Sequence, residues 1–248
     1  LVRSRGLGDV YKRQVYDTRN DKTAIGQTCC IEMVNTLSGE IRQLYRTTNQ
    51  TRYGPGVGAV TFSPVDKVVL FIHGLSSCNE SHPYGFSRRT GVAVYVSSPG
   101  MPVFMDARDV LPPFTPGALR GGTHAHSWSG DGRWISFTYN DDVMSHLEKI
   151  GADQKKDLRM VGVMSPSGPV RVDSISSGEH VSGKMFSVIV SKVTENPEPG
   201  SDQIDRAYEE GWIGRNGYRK TDGSWQKRAV AFLGDTRDRP VSYTHLTL

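Results

Sequence analysis

HAHSWSGDGRWISFTYND, residues 124–141, is the stretch that decides the fold of this chain. At its centre, Ser129-Gly130-Asp131-Gly132 is an Asp-Gly turn between runs of alternating apolar residues, the strongest short-range hairpin signal. A His-x-His pair enters the first strand, and Tyr139-Asn140-Asp141 leaves the second. An antiparallel hairpin brings its two ends together, so imidazoles and a carboxylate are expected at one edge of one sheet.

Working outward, the same pattern recurs. AVTFSPVDKVVLFIHG (59–74) is again an alternating strand, a Ser-Pro turn with an Asp, and a second strand with polar residues at its end. A more degenerate third copy pairs MFSVIVSKV (185–193) with RAVAFLGD (228–235), and VYDTRND (15–21) reads as the remnant of a fourth. Each hairpin is followed by a second pair of strand-like runs: 31–35 with 41–46, 92–97 with 102–106, and 159–164 with 170–173. Repeated units of four antiparallel strands are the pattern of β-propeller blades. The expected fold is therefore all-β, an incomplete propeller of about three to four blades where closed ones typically have four to eight. On this reading the chain is truncated at both ends. Two segments fall outside the pattern. Residues 109–122 read as an extended connection, and SDQIDRAYEEG (201–211) as a capped amphipathic helix inserted at the turn of the third hairpin.

Composition narrows the class. Hydrophobic content of 36% and a mean hydropathy of −0.44 suit a modest core, and no apolar run approaches the roughly 18 residues of a membrane helix. The formal charge of +4 is concentrated at the start, where residues 1–14 carry four basic side chains against one acid. That segment and the last residues, 240–248, read as non-native adaptor translation, which leaves 15–239 as the propeller domain. The basic balance then argues for no nucleic-acid partner. Three cysteines, two of them adjacent at Cys29-Cys30, make neither a disulfide framework nor a metal knuckle. Nothing in the residues fixes the compartment, and a cytoplasmic or a periplasmic home fits.

Four stretches carry a resemblance over residues 15–238: FIHG (71–74), PFTPGALRGGTHAH (113–126), ISFTYND (135–141) and PGSDQIDRAYEEGWIG (199–214). They resemble the YidR-like proteins, an uncharacterised bacterial family, and the resemblance implies a TolB-like β-propeller fold. A site-level resemblance is to the oligogalacturonate lyases, propellers in which a His-x-His pair beside an SPDG-type hairpin helps to hold manganese. Those enzymes add a Gln three residues before the first His, where this chain has Gly121.

The chemistry follows from spacing. His124 and His126 are two apart on a strand and are expected to share a face, and two imidazoles suit Mn²⁺ or Zn²⁺. His73, at the end of the preceding hairpin, is the third expected ligand, with His180 a further candidate. Asp141, Asn140, Tyr139, Asp17 and Arg19 are the expected ligand-binding residues of the same mouth. Such a mouth fits a small polar or sugar-acid ligand held through a His-ligated divalent metal. Lyase chemistry would need that metal to acidify a carbon and a base to take the proton. The competing expectation is a non-enzymatic scaffold that presents its loops to a protein partner.

Overall fold

Local hydrogen bonds close the 129–132 turn. Gly132 sits at φ 67°, a conformation natural to glycine, and its N–H donates to the Ser129 carbonyl at 2.8 Å. Ser129 Oγ donates to Asp131 Oδ1 at 2.6 Å and accepts from the Trp134 N–H at 3.0 Å, so the turn is tied by side chains as well as backbone.

The computed structural model describes residues 10–13, 24–151, 156–173, 178–237 and 243–247. A first antiparallel sheet holds β1 (Val10–Arg13), β2 (Cys30–Asn35) and β3 (Ile41–Arg46), with the short α1 (Ala24–Gln27) between β1 and β2. A four-strand meander follows: β4 (Val57–Phe62), β5 (Val68–Gly74), β6 (Arg89–Tyr95) and β7 (Val103–Phe104). A small parallel pair, β8 (Ala107–Arg108) and β9 (Ala118–Leu119), leads into the next sheet. That sheet is β10 (Gly121–Trp128), β11 (Ile135–Asp141), β12 (Met160–Ser165) and β13 (Phe186–Ile189), with α2 (Asp142–Lys149) between β11 and β12. The last sheet runs from β14 (Arg206–Trp212) past the small hairpin β15 (Tyr218–Arg219) and β16 (Trp225–Gln226) to β17 (Val230–Asp235) and β18 (Tyr243–Thr247), in the order β14-β17-β18. The chain is all-β in organisation, and none of its sheets is closed.

Strand alternation decides how these sheets meet. On β5, Val69 and Phe71 join Ile31, Leu44 and Tyr45 of the first sheet in one core, whereas Val68 and Leu70 join Ile135, Phe137 and Met164 of the third in another. Val161 of β12 turns the other way, into a third core with Ala207, Val230 and Phe232. Each apolar core thus lies between two consecutive sheets, as the period-2 geometry of a strand buried on both faces requires.

The two clearest hairpins form as their turns dictate, with Phe62 opposite Val69 and Trp128 opposite Ile135. The later pairings differ from expectation. The 201–211 stretch is no helix: residues 206–212 are the strand β14, paired with β17. Its Ala, Gln and Glu favour a helix locally, but pairing with the apolar β17 and burial of Ala207 outweigh that weak preference. Residues 185–193 do not partner 228–235. Phe186–Ile189 instead closes the third sheet beside β12, and Val170 makes only an isolated bridge to Gly183. Both terminal segments set aside on sequence grounds contribute a strand, β1 against β2 and β18 against β17.

One irregularity repeats. β4, β10 and β14 each lose register in mid-strand, and each carries a non-glycine residue of positive φ there: Ala59 at 50°, Ala125 at 55° and Glu209 at 53°. On β10, His124 faces Thr138 and Ser127 faces Ser136, so Ala125 and His126 together oppose Phe137. This is a β-bulge, and the simple alternation expected across 124–126 is broken by it.

Candidate functional site

The bulge sends the two histidines to different partners. His126 points to the preceding sheet, where Gly91 leaves room for it: a Cβ on Gly91 would lie 2.8 Å from His126 Nε2. Thr123 Oγ1 donates to Asp106 Oδ2 at 3.0 Å, which leaves that hydroxyl to accept from His126 Nε2–H at 2.9 Å. The proton therefore sits on Nε2, and Nδ1 is left as a buried acceptor with no hydrogen-bond partner. Asp106 also accepts from the Gly91 N–H at 2.6 Å, but complete burial still pushes its carboxyl up to about 6.

His124 has no hydrogen-bond partner at either nitrogen, and both atoms are buried. Its ring lies 5.9 Å from that of Phe86. The guanidinium of Arg89, from β6, covers Phe86 at 4.4 Å and Tyr84 at 4.7 Å, and that of Arg159, just before β12, lies 5.5 Å from the Phe86 ring. Burial first, then Arg89, Arg159 and His126, push His124 down to about 2. Burial and Arg89 push His126 down to about 3, so both rings are neutral at any physiological pH. Neither arginine has a carboxylate within ion-pair distance among the described residues, although Asp157 adds an attractive field at Arg159. Arg89 Nε is buried without a partner, and desolvation lowers both guanidinium pKa values.

The other expected site residues lie elsewhere. His73 is locked between β3 and β5: Tyr45 O–H donates to Nε2 at 2.9 Å, and Nδ1–H donates to the Gly74 carbonyl. Asp141 caps α2 by accepting from Met144 N–H at 3.0 Å, and its other oxygen takes Arg120 at 2.6 Å and the Tyr139 hydroxyl at 3.1 Å. Burial first, and then that carboxylate, raise the Tyr139 phenol far above its ordinary range. Asn140 donates to Asp157 Oδ2 at 2.9 Å and leaves its own Oδ1 buried and unpartnered. His180 stands 3.3 Å from Asp109. Asp17 and Arg19 lie outside the described residues.

The expected Mn²⁺ or Zn²⁺ ion does not fit this donor set. Both His73 nitrogens and His126 Nε2 are spent on hydrogen bonds, and the charges beside His124 are two guanidinium groups, which repel a cation. Among the described residues no group of three or more His, Cys, Asp or Glu side chains is placed to hold a metal. Arg89, Arg159, Phe86 and Asp106 escaped the sequence reading because none belongs to a motif. The one available signal was Arg88-Arg89 beside Phe86, in a loop between two apolar strands.

A second buried acid stands at the same level of the next sheet. Glu210 occupies the bulge of β14 as His126 occupies that of β10, and Thr138 Oγ1 donates to its Oε2 at 2.5 Å. Burial pushes this carboxyl up to about 7, and its Oε1 has no partner.

The profile of DUF3748, a family of proteins of unknown function, matches residues 56–180, which hold every residue of the histidine–arginine cluster but not Glu210. The chain is 43% identical over 223 residues to the uncharacterized protein YidR of Escherichia coli (strain K12). That match covers 90% of this chain and 47% of the relative, so the chain spans about half the length of the curated protein it matches. With β4 through β12 and the buried histidines all inside the matched span, the chain belongs to the DUF3748 family.

Proposed function

We propose that the chain is part of a TolB-like β-propeller whose mouth, around His124, binds a small anionic ligand of the sugar-acid type without a metal. Consecutive sheets in meander order, an apolar core between each pair, and the same bulge on β4, β10 and β14 support successive blades with those strands innermost. One observation carries the ligand reading: His124 keeps two buried, unpartnered nitrogens beside two guanidinium groups that have no carboxylate within ion-pair distance among the described residues. Buried polar groups are normally satisfied, and desolvated arginines are matched by a planar acid that accepts two parallel hydrogen bonds.

Proton affinity disfavours either histidine as the base that lyase chemistry needs. A general base works best with a pKa near the operating pH, and His124 at about 2 and His126 at about 3 are far too weak to hold a proton.

Titration calorimetry on the full-length protein with D-galacturonate and D-galactose tests the reading, since the two differ only in the carboxylate. Galacturonate should bind, galactose should not, and Arg159→Gln should weaken binding about tenfold, one lost charged hydrogen bond. EDTA should leave the affinity unchanged. Equal binding of the neutral sugar, or loss of binding with EDTA, would overturn the proposal. Absence of saturable binding to any small acid would favour the scaffold that presents loops to proteins.

A further inference from the structure

At the opposite end of the β10–β11 hairpin, the Asp131-Gly132 turn meets the loop that leaves β14, and between them lies a cavity of about 230 Å³. Its walls are backbone in close contact. A Cβ on Gly130 would fall 1.7 Å from the Arg215 carbonyl oxygen, and one on Gly217, at φ 96°, 1.9 Å from that of Gln226. Trp212 and Trp225 line it, and each indole N–H is tied to a carbonyl: Trp212 to Ser127 at 3.0 Å, Trp225 to Asn216 at 3.1 Å. The only polar atom of each ring is therefore spent within the protein, and what remains is an oriented apolar face. Trp225 is nonetheless 57% exposed, a large aromatic surface open to water and tethered by its N–H.

The charges around these rings are unbalanced. Arg228 pairs with Asp131 and lies over the Trp134 ring at 5.2 Å, and its Nε is buried without a partner. Arg215 and Lys227 also line the cavity, and neither has a carboxylate within ion-pair distance among the described residues. Three cations face one acid that is already engaged.

A ligand for this cavity needs a flat apolar face to lie on Trp225, hydroxyls for the carbonyl and amide rim at Asn216, and a negative charge for Lys227 and Arg215. We infer that the cavity is a second binding site, for one acidic saccharide unit stacked on Trp225. Its volume suits one ring better than a larger drug-sized ligand, which takes about 300 Å³ or more. It is separate from the His124 mouth, and neither site depends on the other.

Tryptophan fluorescence of the full-length protein, titrated with a galacturonate trisaccharide, tests this. A saturable change is expected, at least about tenfold weaker in Trp225→Ala, retained in Trp225→Phe, and about tenfold weaker in Lys227→Gln. Arg159→Gln weakens only the mouth, so the part of the signal that Trp225→Ala abolishes should persist in that variant, which separates failure here from failure at the mouth. A neutral galactose trisaccharide that binds equally, AMP that saturates where the saccharide does not, or wild-type binding by Trp225→Ala would overturn the assignment. Circular dichroism of each variant checks that the fold is intact.

Discussion

Single buried residues set the response of this protein to pH. His124 and His126 have folded pKa values depressed from 6.5 to about 2 and about 3. Their contribution to stability is complete above pH 6.5 and is lost as the pH falls toward those values, because the unfolded chain takes up protons that the folded one refuses. Asp106, raised from 3.8 to about 6, and Glu210, raised from 4.5 to about 7, act in the opposite sense. Their contribution is complete below the unfolded values and is lost as the pH rises through the folded ones. The two pairs oppose each other between about pH 4.5 and 6, each group worth about 1.4 kcal/mol per pH unit. A nearly flat melting temperature is expected across that window, with a steep fall below about pH 4. In Glu210→Gln one opposing slope is gone, so a melting temperature that declines with acid already from pH 6.5 is expected; a profile identical to wild type would contradict it. Arg108 is a different buried charge, fully enclosed and bonded to Asp142 at 2.7 Å, Glu179 at 3.3 Å and the Ser87 carbonyl at 2.7 Å. Arg108→Met removes the guanidinium that Asp142 and Glu179 share, leaves Glu179 to Arg88 at 2.6 Å, and should lower stability by about 3–5 kcal/mol in urea unfolding.

At the scale of elements, the bulge of β10 is the instructive case. An alanine held at φ 55° is strained, and glycine is not. Ala125→Gly should be neutral or stabilising by up to about 1 kcal/mol, whereas Ala125→Val, with a branched Cβ at positive φ, should cost about 1–3 kcal/mol by thermal melting. Turn chemistry made the hairpins legible: Asp131-Gly132 and Ser63-Pro64 announced β10–β11 and β4–β5 through local residues alone. Glu209 and Ala125 carry no such mark, because a bulge is enforced by the pairing on either side of it. The same limit explains β14. Ile204, Ala207 and Tyr208 share a helix face in sequence, but the strand is chosen by β17, more than twenty residues later. α2 carries a local mark too: Asp141 precedes DVMSHLEK as an N-cap, and the structure uses it so.

For the molecule as a whole, cores that lie only between consecutive sheets make stability a sum over neighbours. Phe71→Ala empties the core shared by the first two sheets and should cost about 3–5 kcal/mol there. Hydrogen exchange should accelerate in β2, β3 and β4 and stay unchanged in β14 and β17; uniform acceleration would show a single cooperative core instead. The all-β class and the hairpin units were legible because alternation and turns are local properties. The proposed mouth was legible only at His124, since Arg89, Arg159 and Phe86 come from separate segments that meet through sheet stacking. The repeated bulge has a consequence for how such a protein changes over time. Its backbone kink is the same on β4, β10 and β14, yet the flanking side chains are Gly58 and Val60, His124 and His126, Tyr208 and Glu210. Each kink is a socket whose contents can be exchanged while the frame stays put, so new chemistry can be tried one sheet at a time.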